Sequence, residues 1–168
     1  MQAVKKLSVI GAGAWGTALA KHLAEKGLDV RLWAYEQDVV DAINRVHQNP
    51  MFLKDIHLPP SLNATSSLAE AIHACDGILF VVPSHVTRPV LQKLAGSLSK
   101  PVPLISATKG IEEGTAKLMT QVMEEVLGEG ATMKAGGVRA AIEAQAGAAV
   151  PLRSIEHQSV WIFLPIKL

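Results

Sequence analysis

Gly11-Ala-Gly13-Ala-Trp15-Gly16 sets three glycines and a tryptophan between a short β-branched run, "KLSVI" (6–10), and an alanine- and leucine-rich stretch, 14–26. Glycine there leaves backbone uncovered where a strand turns into a helix. Gly11 permits the tight turn, Gly13 lets a pyrophosphate reach the main chain, and Gly16 lets the helix pack close to the strand. Ala14 and Trp15 open the helix. Its free N–H groups and dipole favour an anion at that end. The pattern points to dinucleotide binding; the plainer reading is a glycine turn that only packs well.

Other chemistry-bearing residues fall at later strand ends. "LDVRLWAY" (28–35) runs into Tyr35-Glu36, and Glu36 lies 20 positions after Gly16. An acidic partner for an adenine-ribose 2′-hydroxyl is expected there. Glu36 equally suits a solvated charge at a helix start. No arginine or lysine lies near to receive a 2′-phosphate, which favours NAD over NADP. Ligands of open parallel sheets bind beyond the carboxyl ends of the strands. "VVPSH" sets Pro83, Ser84 and His85 at one such end, and "ATKG" sets Lys109 at another. A lysine there is a compact cation for a phosphate or a polarised carbonyl. Ser84 and His85 are not a nucleophile–base pair, because adjacent side chains in an extended segment point apart. His22, His47, His57, His73, His85 and His157 show no metal-ligand spacing and read as structural or solvated.

The elements that hold these residues alternate. Strands are expected at 6–10, 28–35, 76–83 and 102–108, and helices at 14–26, 36–48, 86–98 and 116–127. Asn49-Pro50 stops the second helix and a loop follows. Ser67-Leu-Ala-Glu70 reads as a capping box opening a short helix. Gly27 and Gly128 suit helix C-termini. "DGILFVVP" (76–83) is apolar throughout, as a strand buried on both faces must be. Trp33, Met119 and Met123 read as packing residues. Alternation of this kind means an α/β fold, a Rossmann-type doubly wound parallel sheet. After Gly128 the chain turns alanine- and glycine-rich, so residues 1–128 read as the domain and 129–168 as an atypical tail. Within that tail "SVWIFLP" (159–165) is either a strand or an exposed apolar end.

Composition sets the class. The chain has 168 residues, 49% hydrophobic and 18% charged, enough for one cored domain with a small appendage. A net charge of +1 gives no reason to expect nucleic acid or an anionic membrane. Cys75 is the sole cysteine, so no internal disulfide forms and a reducing compartment fits. The start lacks the apolar region of a signal peptide, and no stretch reaches the roughly 20 apolar residues of a membrane span. A soluble cytoplasmic protein is expected.

Five segments in order, "VIGAGAWGTALA", "VRLWAYE", "NPMFLKDIHLPPSLNATSSLAEAI", "VVPSHVTRPVL" and "SATKGIEEGT", resemble the N-terminal domain of bacterial NAD(P)-dependent glycerol-3-phosphate dehydrogenases. The W-G-T after the second glycine and T-K-G-I-E are more specific than the glycines. The resemblance covers about residues 5–128. It implies hydride transfer between dihydroxyacetone phosphate and sn-glycerol 3-phosphate, with NAD or NADP as cofactor, supplying phospholipid precursors. It also implies that Ala14 and Trp15 lie against the pyrophosphate, Tyr35 near the adenosine, Pro83 near the cofactor, and Lys109 against both cofactor and substrate. The family continues with a G-P-S-F-A segment and a helical domain carrying the proton-transfer lysine; residues 129–168 match neither. No catalytic residue therefore carries over. The resemblance implies a truncated chain that binds cofactor with little or no turnover, or a stand-alone binding module. Apolar surface left without that second domain predicts a homodimer burying residues 138–165.

Overall fold

The computed structural model describes residues 4–99 and 102–128 with their side chains, and the backbone of strands 133–135 and 161–163. In chain order the elements are β1 (Lys6–Ile10), α1 (Ala14–Glu25), β2 (Asp29–Trp33), α2 (Gln37–Val46), β3 (Gln48–Asn49), β4 (Leu53–His57) and β5 (Asn63–Thr65). They continue with α3 (Leu68–Ile72), β6 (Gly77–Phe80), α4 (Ser84–Ser97), β7 (Leu104–Ser106), α5 (Met119–Leu127), β8 (Met133–Ala135) and β9 (Trp161–Phe163).

Among the described residues a seven-stranded sheet runs in the order β5-β2-β1-β6-β7-β9-β8. From β5 to β7 every pairing is parallel, with Ile10 opposite Trp33 on one side and Phe80 on the other. The central strands are buried on both faces, and their side chains alternate between two cores. Ile78 and Phe80 join Leu91, Leu94, Val122 and Met123 on the face covered by α3, α4 and α5. Leu79 and Val81 join Val9, Ala20, Leu32 and Ile43 on the face covered by α1 and α2. Two cores on opposite faces of one parallel sheet make the fold doubly wound, as the alternation predicted. Met119 and Met123 are buried in the first core, as expected.

Several boundaries differ from expectation, each for a local reason. Helix α2 ends at Val46 because His47 takes a left-handed conformation (φ 53°), before Asn49-Pro50 is reached. The segment read as a loop contains the antiparallel hairpin β3–β4 and the edge strand β5. Four of the five β4 residues are exposed, so it shows no alternating apolar signal. The capping box is only half closed: Ser67 Oγ accepts from Glu70 N at 3.3 Å, while the Glu70 carboxylate takes the Thr65 hydroxyl at 2.7 Å. Thr65 Oγ1 in turn accepts from Ser67 N at 3.1 Å, so the box closes through a third residue. Helix α4 begins at Ser84, two residues early, and carries Pro89 inside it.

The apolar "SVWIFLP" contains a strand: β9 pairs antiparallel with β7, and β8 pairs antiparallel with β9. Apart from strands β8 and β9, residues 129–168 fall outside the described residues, and so does most of the 138–165 surface expected to form a dimer. No described helix is long and apolar enough to cross a membrane.

Candidate dinucleotide site

The chain leaves β1 at Ile10 and turns at once. Gly11 donates its N–H to Trp33 O at 3.1 Å and adopts φ +118°. A Cβ there would stand 2.4 Å from Val81 O, so both conformation and space demand glycine. At Gly16 a Cβ would stand 1.9 Å from Gly11 O. The close approach at Gly16 is thus to the turn itself, with Val81 Cβ further off at 3.6 Å.

Gly13 differs from both. Its φ is −63°, open to any residue, and among the described residues a Cβ would meet no atom within 4 Å. No contact among the described residues requires glycine there. What glycine preserves is free space at the N-terminus of α1. Gly13 O accepts the first helical bond, from Thr17 N at 2.9 Å, and no side chain caps the N–H groups that precede it. An uncapped helix start with a cleared approach fits a pyrophosphate.

A buried polar cluster braces the turn from behind. Thr17 Oγ1 donates to Ala12 O at 3.0 Å. Asn49, fully buried, donates from Nδ2 to Ala12 O at 2.9 Å and lies 2.8 Å from Thr17 Oγ1. Asn49 Oδ1 accepts from Phe52 N at 3.1 Å. The hairpin is thereby fastened onto the glycine turn, and Phe52 is set at the edge of the cleft.

That cleft, about 400 Å³, opens at the carboxyl ends of β1, β2 and β6. Of the residues singled out from sequence, Gly11, Gly13, Tyr35, Glu36 and Pro83 line it. Ala14, Trp15, Gly16 and Lys109 do not. Lys109 instead places Nζ 5.6 Å from the centroid of the Trp15 ring, beside the start of α1. Trp33, expected only to pack, is buried yet also lines the cleft, with Nε1 donating to Ser66 O at 3.0 Å.

Sequence reasoning missed three contributors. Phe52 arrives on the unforeseen hairpin. Asn49, read as a helix stop, is the hairpin's buried anchor. Lys93 lines the cleft from α4, together with His85, Val86, Pro89 and Val90. Lys93 and Glu36 both line the cleft, although they are far apart in the chain. Helical spacing at 85, 86, 89, 90 and 93 was the signal that brings Lys93 to the same wall.

The loop that carries Lys109 is tied down electrostatically. Arg88 donates from Nε to Glu112 Oε1 at 2.7 Å and from Nη2 to Glu112 Oε2 at 2.8 Å. Its Nη2 also reaches Glu125 Oε2 at 2.8 Å, and Lys117 pairs with the other Glu125 oxygen. The Arg88 hydrogen bonds, helped by Thr115, pull the Glu112 carboxyl down to about 2, and Glu112 and Glu125 raise the Arg88 guanidinium. Lys117 first, then Arg88, lower Glu125.

Comparisons with known proteins agree with this geometry. A family model described as the NAD-dependent glycerol-3-phosphate dehydrogenase N-terminus matches residues 6–149, running past Gly128. Glycerol-3-phosphate dehydrogenase (NAD(P)+) of Bacillus cereus strain B4264 is 44% identical over 124 residues, which are 74% of this chain and 36% of that protein. The Nitratidesulfovibrio vulgaris strain DP4 enzyme of the same name is 45% identical over 122 residues, 73% of this chain and 37% of that one. The crystal structure of Coxiella burnetii glycerol-3-phosphate dehydrogenase superposes with a TM-score of 0.70 at 32% identity, covering 85% of this chain and 44% of that one. The chain spans a little over a third of the length of the curated relatives it matches.

Proposed function

Because the chain belongs to the NAD-dependent glycerol-3-phosphate dehydrogenase family, matching its N-terminal part, we propose that the cleft seats the pyrophosphate of NAD or NADP over Gly13 and the first turn of α1. The observation that carries this is the cleared space at Gly13, which no contact among the described residues explains. The adenosine lies toward Tyr35 and Glu36, where the Glu36 carboxylate accepts from the ribose 2′-hydroxyl and favours NAD. Pro83 flanks the cofactor from the end of β6. When bound, the nicotinamide supplies or accepts the hydride.

The reaction proposed for the lineage interconverts dihydroxyacetone phosphate and sn-glycerol 3-phosphate. Its product serves as a phospholipid precursor. Lys109 is the residue offered to both cofactor and substrate, as a mobile ammonium for a phosphate or carbonyl oxygen. Residues 129–168 contain no G-P-S-F-A segment. A positioned proton donor is worth about 10²–10⁴-fold. A polypeptide of these 168 residues therefore binds cofactor with little or no turnover. Self-association through the tail remains part of the proposal and is read by light scattering on a sizing column.

Titration of the purified chain with NADH and NADPH tests the binding. Saturable binding to either supports it, and no binding to both overturns it. A parallel assay adds dihydroxyacetone phosphate: NADH oxidation above background overturns the claim of negligible turnover.

A further inference from the structure

We infer that Trp15 is a positioning residue for Lys109, its indole face holding the ammonium beside the anion seat at the start of α1. The inference rests on the cofactor reading above but concerns a contact that exists without cofactor.

Three observations carry it. Lys109 Nζ lies 5.6 Å from the Trp15 ring centroid, inside the roughly 6 Å reach of a cation–π contact. Among the described residues Lys109 makes no ion pair and no hydrogen bond, unlike Arg88 and Lys117, which are paired with carboxylates. Trp15 is itself 38% exposed and belongs to neither core. An exposed tryptophan at the second position of a helix does little for the fold. It does supply a π-face where one is needed.

The need is electrostatic. The N-terminus of α1 carries partial positive charge, which attracts a phosphate and repels a free ammonium. Left alone, the flexible Lys109 side chain would swing away from the helix start. The negative face of the indole offsets that repulsion and keeps the ammonium at the rim. An arriving phosphate then meets N–H groups on one side and a positioned cation on the other. Gly110, at φ +99°, bends the chain immediately after Lys109, and the Arg88–Glu112 pair fixes the loop beyond it. Only the side chain of Lys109 remains to be oriented.

The test is a double-mutant cycle in the full chain, with Trp15→Leu, Trp15→Phe, Lys109→Met and the Trp15→Leu/Lys109→Met double variant. Circular dichroism melts first confirm that each folds, as expected for exposed positions. The first readout needs no cofactor. Lys109→Met should change the intrinsic fluorescence of the parent, and the change should vanish in the Trp15→Leu background, where only Trp33 and Trp161 emit. No change in the parent overturns the contact. The second readout is NADH affinity. Trp15→Leu should weaken it about two- to fivefold, the range of an exposed cation–π contact. Trp15→Phe should recover part of the loss. In the Lys109→Met background Trp15→Leu should have no further effect. An equal loss in both backgrounds overturns the inference, because Trp15 would then act without Lys109. Failure of the parent to bind any dinucleotide overturns the cofactor reading instead, and the fluorescence readout separates the two failures.

Discussion

Asn49 Nδ2 lies 2.8 Å from Thr17 Oγ1, and both groups converge on the Ala12 carbonyl in a space closed to solvent. One amide thus links three parts of the chain: the hairpin, the helix and the glycine turn. Removing it strands the Phe52 N–H and leaves Ala12 O with the Thr17 hydroxyl as its one side-chain donor among the described residues. Each buried group left unsatisfied costs about 1–3 kcal/mol. Asn49→Ala should destabilise the protein by about 2–3 kcal/mol. Asn49→Asp should do no better, since an ionised carboxylate cannot donate to Ala12 O. The midpoint of urea unfolding measures both; an unchanged midpoint would mean the cluster is not structural.

Gly13 and Gly16 should behave in opposite ways. At Gly13 an added methyl meets nothing and the backbone conformation is ordinary. Gly13→Ala should change stability little, because the N-cap preference for glycine over alanine opposes the gain of about 0.4–1 kcal/mol from restricting the unfolded chain. The same methyl intrudes on the phosphate approach, so NADH affinity should fall at least about tenfold. Gly16→Ala drives a methyl to 1.9 Å from Gly11 O and should lower the melting temperature sharply. Paired melts and titrations of the two variants check this. Equal stability losses would show that the space at Gly13 is not reserved for a ligand.

What could be read from sequence follows from what each feature depends on. The glycine turn and the strands β1 and β6 were legible because turn chemistry and continuous apolar runs are local signals. Glu36, Tyr35 and Pro83 were legible because strand ends locate the cleft in any parallel sheet. The hairpin was not, because the exposed β4 has no period to detect. Asn49 could be recognised only once Ala12 and Thr17 stood beside it. The Arg88–Glu112 pair joins positions 24 apart across two elements, and no chain-local rule predicts it. Lys93 was visible as one position of a helical face, but not which wall that face would meet.

The Arg88–Glu112 pair should show in acid. The Glu112 carboxyl is held at about 2, below its ordinary value near 4.5, chiefly by Arg88. A carboxyl with a depressed folded-state pKa contributes stability that is fully present above its unfolded value. That contribution is lost as pH falls from about 4.5 toward 2. Glu125, lowered first by Lys117, acts in the same direction. Glu112→Gln should therefore flatten the fall in stability over this window by lowering the neutral-pH melting temperature toward the value the parent reaches in acid. Melting temperatures from pH 2 to 7 for parent and variant provide the check. A parallel fall in both would show that the pair is too well solvated to matter.

Cofactor choice should turn on two side chains that share the cleft, Glu36 after β2 and Lys93 on α4. A carboxylate accepting from a ribose 2′-hydroxyl forms a charge-assisted bond, and the same carboxylate repels a 2′-phosphate. Glu36→Ser should weaken NADH binding about tenfold and tighten NADPH binding. Lys93 acts through charge alone. Lys93→Met should leave NADH affinity within about twofold and weaken NADPH by more, if its ammonium reaches the 2′-phosphate end of the cleft. Salt separates the two effects, because screening at 0.5 M should erase the Lys93 contribution and spare a direct bond from Glu36. Titrations of both variants with both cofactors at low and high salt decide it. If Lys93→Met weakens NADH and NADPH alike at low salt, the ammonium serves the pyrophosphate, and cofactor choice rests on Glu36.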